Sequence, residues 1–387
     1  MTLTRSLGRC CLPVNASLAL ALLLGGSLTA LGQDSTSAGK AMKAILAVGK
    51  EGAGFDQAIP AAEELRQLPT TQIPTLLNAL VDSNPLAENW LRGVIFDVVR
   101  KSGQPSLEML EGYVLDTSNN PKGRGLAMEL LKRQSPEQAE KLIDQCLDDA
   151  SLPLREMAVE QAIERTSEKA KDDPEAAKQE YRTTLAAARH PRQLTRIISA
   201  LDELGDPVKP AEAFSMITSW QSLAPLDNVD GVGFAAEYGP EKEFVGSGKL
   251  DLKLEHPGKQ ATVQWKPLTG SPEEGDVDLA AAYDKEKGAV GYLYTEFESA
   301  KDQAAQVRLG CINANKVWIN GELVMQNEVY HSGSMIDQYI AEFPLQKGTN
   351  RILLKICQNE QEEPWAQDWK FQFRITDPSG KGLISQR

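Results

Sequence analysis

The sequence has few residues of the kinds that bind metals and nucleic acids. Its 387 residues include only three His and five Cys, and no CxxC pair occurs. His190, His256 and His331 are far apart in sequence, so we expect no structural zinc site. Lys and Arg total 41 against 54 Asp and Glu, and the resulting net charge of −13 disfavours a surface that follows a phosphate backbone. We therefore predict no metal, no cofactor and no nucleic-acid partner.

The N-terminal apolar run is too short for a comfortable membrane span. It covers residues 18–24 and follows a basic start. Ala30 and Gly32 are small residues at the two positions that a signal peptidase recognises. Gln33 follows instead of Cys, which argues against a lipid-anchored lipoprotein. We predict a signal peptide over residues 1–32 and an exported protein, periplasmic or extracellular, without a membrane span after cleavage. A retained N-terminal anchor is the alternative.

Cysteine is scarce beyond this segment. Cys10 and Cys11 would leave with the signal peptide, so Cys146, Cys311 and Cys357 remain. Cys311 and Cys357 both lie in predicted strands. The sequence leaves open whether these two form a disulfide or are small buried hydrophobic residues.

Residues from about 40 to 222 are predicted to be helical, because prolines recur where amphipathic segments begin. Proline is well tolerated at the first helical position, and a polar residue before it can cap free N–H groups. Ser135 and Gln138 also have the spacing of a capping box. The X-Pro pairs that predict helix starts are Asn84-Pro85, Gln104-Pro105, Asn120-Pro121, Ser135-Pro136, Leu152-Pro153, Asp173-Pro174, His190-Pro191 and Lys209-Pro210.

Apolar residues recur at helical spacing between these prolines, as in the stripe of Leu107, Leu110 and Val114. Two helices about 18 residues apart form a hairpin unit of about 36 residues, which resembles the HEAT and armadillo class of helical repeats. The resemblance implies a concave face that binds a protein partner. A non-repeating helical bundle is the alternative.

Residues from about 226 to 387 change to short alternating runs broken by Gly, Asp and Asn. Lys370–Thr376 alternates polar and apolar residues, which predicts a strand with one wet face. Asn320-Gly321 between two apolar runs predicts a type I′ hairpin turn. The predicted fold is an all-α helical-repeat domain at residues 33–222, followed by an antiparallel β-sandwich of jelly-roll type at residues 226–387.

Three stretches of this second region resemble a known family. Residues 310–321 read GCINANKVWING, residues 327–331 read NEVYH, and residues 345–355 read LQKGTNRILLK. They are similar to the galactose-binding-like jelly-roll modules attached to glycoside hydrolases and to many exported bacterial proteins. The resemblance implies a jelly roll and sugar binding, although related modules also serve as structural spacers. Related PA14-type domains often carry an acidic pair before the tryptophan strand, whereas this loop has Asn313 and Asn315, so no calcium site is implied.

A carbohydrate site combines aromatic rings, which stack on sugar C–H faces, with amide groups that bond hydroxyls. Tyr330, His331 and Trp365 lie in predicted loops, where binding residues concentrate. The candidate carbohydrate-binding residues are Tyr330, His331, Trp365, Asn313, Asn315, Gln358 and Asn359.

No motif predicts catalysis. The sequence has no nucleophile elbow, P-loop or dinucleotide glycine motif, and we assign no catalytic residue. We therefore expect a non-catalytic exported binding or scaffold protein, with a protein partner on the helices and a glycan on the jelly roll. An accessory or divergent glycoside hydrolase is one alternative, since acidic pairs such as Glu296 with Glu298 occur. A structural spacer without glycan affinity is the other.

Overall fold

The computed structural model describes residues 37–331 and 333–386. Residues 37–213 are all-α, and antiparallel β-sheets follow and form a sandwich-like domain, which confirms the predicted fold class. The predicted signal peptide, residues 1–32, lies outside the described residues. None of the helices in the described ranges is long and apolar enough to cross a membrane.

The helical region consists of helices of 4 to 18 residues. They are α1 (Ser37–Leu46), α2 (Phe55–Leu65), α3 (Ile73–Asn78), α4 (Pro85–Ser102), α5 (Leu107–Leu115), α6 (Pro121–Gln134), α7 (Pro136–Ile143), α8 (Leu152–Lys169), α9 (Pro174–Ala187), α10 (Pro191–Glu203) and α11 (Pro210–Ala213). Short 3₁₀ turns cover Lys50–Gly52, Thr70–Gln72 and Ala79–Asp82.

Proline starts most of these helices, as predicted. Helices α4, α6, α7, α9, α10 and α11 each begin at a predicted proline. Asn84 caps α4, since its side chain accepts hydrogen bonds from the N–H groups of Leu86 and Ala87 at 2.9 and 3.0 Å. Asp173 caps α9 in the same way, at 3.0 Å from the N–H of Ala176. The helix starts are therefore set locally, by residues adjacent in sequence.

The predicted capping box at α7 is wrong. The Ser135 side chain makes no cap hydrogen bond. The backbone N–H of Ser135 donates to the Leu131 carbonyl at 2.7 Å, so Gln138 has no free donor to accept from there. The Gln138 amide donates instead to the Glu111 carboxylate on α5.

The β region consists of twelve strands, counted over the described residues. They are β1 (Ser219–Asp227), β2 (His256–Pro257), β3 (Thr262–Val263), β4 (Lys266–Thr269), β5 (Asp276–Asp278), β6 (Ala289–Ser299), β7 (Gln303–Cys311), β8 (Ala314–Ile319), β9 (Glu322–Asn327), β10 (Tyr339–Leu345), β11 (Gly348–Gln358) and β12 (Lys370–Thr376). Short helices α12 (Val232–Ala235), α13 (Gly239–Phe244) and α14 (Leu279–Ala282) lie between strands, as do 3₁₀ turns at Val229–Gly231 and Pro364–Ala366.

The strands form two main antiparallel sheets. A six-stranded sheet has the order β4-β1-β6-β11-β8-β9, and a four-stranded sheet has the order β10-β7-β12-β5. Strands β2 and β3 form a separate small pair. Asn320 and Gly321 join β8 to β9 with φ of 52° and 92°, and these two positive values confirm the predicted type I′ turn.

Large apolar side chains fill the space between the two sheets. Trp220 meets the rings of Phe371 and Phe373 edge to face, with centroids 5.3 Å apart in both pairs. A second apolar cluster covers the outer face of the six-stranded sheet, where Phe234 and Phe244 contribute from α12 and α13. Both faces of the six-stranded sheet are therefore buried, which explains the nearly continuous burial along β11.

The prediction of a solvent-exposed face along β12 is wrong at Arg374. Arg374 points away from the sandwich core, yet it is almost completely buried. Its Nη1 donates to the Phe214 carbonyl at 3.3 Å, and the Ile217 N–H donates to the Phe373 carbonyl at 2.8 Å. The segment that follows α11 covers this face of the strand, which the alternating sequence pattern alone does not reveal.

The chain divides into two compact units. One contains the described residues up to Met109 together with Ser118–Leu126, and the other contains Leu110–Thr117 together with the described residues from Ala127 onward. The second unit includes helices as well as both main sheets. The boundary between the two compact units therefore does not coincide with the change from helices to strands. Residues 222–227, where the two predicted domains adjoin, belong to β1. The domain limits of 33–222 and 226–387 stay a prediction.

Candidate functional site

Four of the predicted carbohydrate-binding residues lie together at one end of the sandwich. Tyr330 and His331 follow β9, whereas Asn359 and Trp365 belong to the segment that follows β11. We call these four residues the aromatic cluster. The cluster forms because the His331 backbone N–H donates to the Ile312 carbonyl at 2.8 Å, which holds its segment beside the β7–β8 connection.

An exposed tryptophan is the outermost member of the aromatic cluster. The Trp365 side chain is 59% exposed although tryptophan is among the most apolar residues. The His331 ring meets it edge to face, with centroids 4.9 Å apart and an interplanar angle of 89°. The contact limits the motion of the indole and leaves much of it open to solvent.

His331 has an uncommon backbone conformation. Its φ is 57°, in the left-handed region that residues other than glycine seldom adopt. The ring Nε2 lies 3.2 Å from Asn359 Oδ1, and the buried ring Nδ1 has no hydrogen-bond partner among the described residues. Asn359 Oδ1 also accepts from the Gln361 N–H at 3.2 Å. The histidine thus links the Trp365 ring to the amide of Asn359.

Tyr330 is anchored more deeply than its neighbours. Asn228 Nδ2 lies 3.2 Å from the Tyr330 hydroxyl and also donates to the Gln358 carbonyl at 2.9 Å. Burial raises the pKa of Tyr330 to about 12, so the phenol stays neutral at physiological pH. Asn228 was missed by sequence reasoning, because a single Asn at the end of a strand carries no distinctive pattern.

The other three predicted residues lie beneath the surface. Asn313, Asn315 and Gln358 are buried. Asn313 Nδ2 donates to Gln358 Oε1 at 2.9 Å, and Gln358 Nε2 donates to the carbonyls of Ala366 and Asp368 at 3.1 and 3.3 Å. These amides therefore hold the segment that carries Trp365. They do not face a ligand at the surface.

Asn315 belongs to the same interior layer. Its Nδ2 donates to the Asn313 carbonyl at 2.9 Å, and its Oδ1 accepts from Asn327 at 3.0 Å. Lys287 supports the Trp365 segment from another side, donating from Nζ to the Ala366 carbonyl at 2.8 Å. Burial lowers the pKa of Lys287. Sequence reasoning missed this lysine too, because its role depends on a carbonyl 79 residues away in the chain.

Exposed acidic and amide side chains precede Trp365 in the chain. Glu360, Gln361, Glu362 and Glu363 are all exposed. One Glu360 oxygen accepts a hydrogen bond from the Asp230 N–H, which fixes that side chain near the cluster. Such groups can accept hydrogen bonds from several hydroxyls.

The acidic pairs considered for catalysis have other partners. Glu296 Oε1 accepts from the Tyr294 hydroxyl at 2.7 Å and lies 3.5 Å from Arg351 Nε, while Glu298 accepts from the Thr349 hydroxyl. Asp278 caps α14 at 2.9 Å from the Ala281 N–H. A cleft of about 760 Å³ on the six-stranded sheet is lined by Glu296 but by no second carboxylate. Within the described ranges, no group of three or more His, Cys, Asp or Glu residues is placed to hold a metal ion.

The two sandwich cysteines are free thiols. Cys311 and Cys357 are both buried and make no disulfide. Burial raises the pKa of each thiol to about 12. The structure therefore favours the reading of both residues as small buried hydrophobic side chains.

No family model and no curated protein matches the chain. Solved structures share distant similarity with it. An anti-sigma factor domain-containing protein from Clostridium clariflavum is 11% identical, covering 26% of this chain and 31% of that one, with a TM-score of 0.21. The PA14 domain of the antifreeze protein MpAFP is 14% identical over 25% of this chain and 48% of that one, with a TM-score of 0.20.

A β-glucuronidase from Bifidobacterium dentium, solved with coumarin-3-O-glucuronide, is 12% identical over 37% of this chain and 20% of that one, with a TM-score of 0.23. The chain spans less than half the length of each of these three structures. These similarities are distant, and no conclusion about function rests on them.

Proposed function

We propose that this chain is a non-catalytic exported binding protein whose β-sandwich binds carbohydrate at the aromatic cluster. The observation that carries the proposal is the exposed Trp365 ring, held edge-on by His331 beside the Asn359 amide. Sugar rings present apolar C–H faces and a rim of hydroxyls, so they need an aromatic surface with polar groups next to it.

The polar groups at the aromatic cluster suit hydroxyls. The Asn359 amide, which also bonds His331 and Gln361, lies beside the indole, and the exposed side chains of Glu360 and Gln361 offer further acceptors and a donor. The buried amides of Asn313 and Gln358 hold the backbone behind Trp365, so little ordering would be needed when a sugar binds. An open platform of this kind fits a binding role, because a glycoside hydrolase needs two carboxylates facing one another across the scissile bond.

The test is a glycan-array screen of the full chain, with and without calcium, followed by titration of the best glycan. We expect Trp365→Ala to weaken binding by roughly tenfold or more, since exposed tryptophans that stack on ligands dominate such sites. Ile384→Ala is the matched control, because Ile384 is also an exposed apolar residue but lies beyond β12 in the chain. His331→Ala should weaken binding less, by loosening the indole.

The alternatives predict different results. A structural spacer predicts no glycan binding under either condition. A glycoside hydrolase predicts release of sugar that stops when one carboxylate, such as Glu296, is changed to its amide. Binding that Trp365→Ala leaves unchanged would place the glycan site elsewhere and contradict the proposal.

The helical region offers a second candidate function, binding of a protein partner. Phe55 and Ile59 are exposed one turn apart on α2, and Leu86 is exposed at the start of α4. The Phe55 ring contacts Trp90 of α4 edge to face, with centroids 5.7 Å apart. Exposed apolar residues grouped on neighbouring helices are typical of protein-binding surfaces.

A partner bound to these helices should be lost on Ile59→Asp and retained on Val245→Asp. Val245 is similarly exposed but lies after α13 in the β region. The measurement is quantitative affinity capture from an extract of the exported fraction. A partner lost equally in both variants would contradict binding at α2.

A further inference from the structure

A cavity of about 880 Å³ lies within the second compact unit and shares no lining residue with the aromatic cluster. Helix α8, the start of α10 and the segment before β10 contribute its walls. The apolar part of the lining consists of Leu152, Val159, Met335, Ile336 and Ile340. Met335 and Ile340 are exposed, which is unusual for large apolar side chains that border a cavity.

The charged part of the lining is dominated by arginine. Five guanidinium groups line the cavity, against the two carboxylates of Glu156 and Asp337; the arginines are Arg155, Arg189, Arg192, Arg196 and Arg308. The whole chain carries a net charge of −13. The sign of the local charge is thus opposite to that of the protein, and a cavity of one sign attracts ions of the other.

Two of the five arginines have no carboxylate partner within ion-pair distance. The exposed Arg192 guanidinium makes no hydrogen bond or ion pair with any described residue. Arg189 donates only to backbone carbonyls, those of Ala186 and Ala188 at 2.8 and 2.7 Å. Its buried Nε has no partner among the described residues. Burial lowers the pKa of Arg189 and nearby Arg155 adds to this, while the charges of Asp377 and Asp148 oppose the shift.

A third arginine is only partly satisfied. Arg308 Nη1 lies 2.7 Å from Asp337 Oδ2 and its Nη2 donates to Gln306 Oε1 at 2.7 Å, but Asp337 also binds two Arg374 nitrogens. Two guanidinium groups therefore share one carboxylate. The Nε of Arg308 is buried and has no partner among the described residues. Buried polar atoms are nearly always bonded in native proteins, and the Nε atoms of Arg189 and Arg308 are two exceptions at the same cavity.

The remaining two arginines are neutralised by residues outside the lining. Arg155 pairs with Asp148 at 3.0 Å, and Arg196 pairs with Glu160. The positive charge available to a ligand is therefore concentrated at Arg189, Arg192 and Arg308. The first turn of α10 also lines the cavity, and the positive end of its helix dipole adds to the same field.

We propose that this cavity binds a small organic anion, with a carboxylate or phosphate head on the arginines and an apolar body against Met335, Ile336 and Ile340. Guanidinium groups bind these two oxyanions in bidentate fashion, and they have no acceptor function that would suit a cation. The volume lies in the range of pockets that hold small ligands, and the mixture of apolar walls with a few charged groups is typical of them. This site is independent of the carbohydrate proposal.

The test is calorimetric titration of the full chain with four ligands of equal chain length: octanoate, octyl phosphate, octanol and octyltrimethylammonium. We expect at least one of the two anions to bind, with octanol and the cation at least about tenfold weaker. Binding of octanoate alone would identify a carboxylate ligand, binding of octyl phosphate alone a phosphate ester, and binding of both a general oxyanion site. Equal binding of octanol, or binding of neither anion at millimolar concentration, would overturn the proposal.

Matched arginine variants locate the binding. Arg192→Gln removes an exposed unpaired charge with little risk to folding, and Arg189→Gln removes the half-buried one. Each variant should lower the affinity for the anion by about tenfold, which is the effect of losing one charge-assisted hydrogen bond. Arg182→Gln makes the same change in charge on α9, where Arg182 pairs with Asp206 outside the cavity, and should leave affinity unchanged. An equal loss in Arg182→Gln, or no loss in Arg192→Gln and Arg189→Gln, would contradict the assignment.

Discussion

Arg374 and Asp337 form a buried ion pair that joins strand β12 to the segment before β10. Arg374 Nε donates to Asp337 Oδ1 at 2.7 Å, and its Nη2 donates to Oδ2. Only 2% of the Arg374 side chain and 4% of the Asp337 side chain are exposed. Because Arg308 binds the same carboxylate, the charge of Asp337 stabilises two guanidinium groups at once.

Replacing this carboxylate should destabilise the fold strongly. We expect Asp337→Asn to lower the free energy of unfolding by about 3–5 kcal/mol, because two largely buried cations lose their counter-ion. Urea unfolding monitored by circular dichroism measures the change. Asp206→Asn, which breaks an exposed pair with Arg182, is the control and should have a far smaller effect. Equal losses in the two variants would contradict a special role for Asp337.

The same carboxylate should control stability at acid pH. Burial opposes ionisation of Asp337, but hydrogen bonds and charges from Arg374 and Arg308 outweigh it and hold the pKa below its usual value. The unfolded carboxyl titrates near about 4, so the stabilisation is present above that pH and is lost as pH falls through the lower folded-state pKa. Unfolding free energies measured below pH ~4 should therefore fall less steeply in Asp337→Asn than in the parent chain.

A second buried pair lies on the outer face of the six-stranded sheet. The Lys355 side chain is 0% exposed, and its Nζ lies 3.0 Å from Glu241 Oε2 and 2.7 Å from the Ala236 carbonyl. The Tyr292 hydroxyl donates to the same Glu241 oxygen at 2.8 Å. We expect Lys355→Met to cost about 3–5 kcal/mol of unfolding free energy, because the buried carboxylate loses its nearer cation and keeps only Lys316, whose Nζ lies 4.0 Å from Glu241 Oε1.

The double variant Lys355→Met with Glu241→Gln tests that explanation. Removing both charges should restore part of the stability lost in Lys355→Met, since no unpaired ion is then buried. Denaturant unfolding of the parent, both single variants and the double variant gives the coupling. Strictly additive losses would show that the two side chains do not depend on one another.

The parts of the fold that could be predicted from sequence depend on neighbours in the chain. Proline before an amphipathic stripe places the start of α4 and α10, and Asn320-Gly321 places the β8–β9 turn, since backbone geometry decides both. Arg374 and Lys355 could not be predicted in this way. Each is a charged residue in a strand, which indicates a solvent face, and only the residues packed over the sheet make that face an interior.

The residues of the candidate site likewise include some that the sequence could predict and some that it could not. Trp365 and His331 were chosen because aromatic residues in loops are common in binding sites, and the structure does place the two rings in contact. Asn313 and Gln358 were chosen for their amides alone. Their burial arises from pairing with each other and with the backbone near Ala366, a tertiary relationship that composition and spacing do not report.

The two buried thiols make a prediction about reactivity and pH. Cys311 and Cys357 should resist iodoacetamide in the folded chain at pH 8 and react in urea, as measured by peptide mass mapping. Burial raises the pKa of both thiols to about 12, whereas an unfolded thiol ionises near about 8.5. The folded state therefore retains protons that the unfolded state has lost, and stability should decrease as pH rises above about 9. Recovery of a disulfide-linked peptide pair would contradict the free thiols.

Gln358 should act as a positioning residue for the aromatic cluster. Gln358→Met keeps the length of the side chain but removes its hydrogen bonds to the carbonyls of Ala366 and Asp368 and to the Asn313 amide, at a cost of about 1–3 kcal/mol. Hydrogen exchange of residues 359–369 should become faster, and glycan affinity should fall although Gln358 itself is buried. Gln372→Met is the control, because the Gln372 side chain makes a single exposed hydrogen bond among the described residues, to the Glu274 carbonyl. Loss of stability with unchanged exchange in residues 359–369 would show that the buried amides do not hold the Trp365 segment.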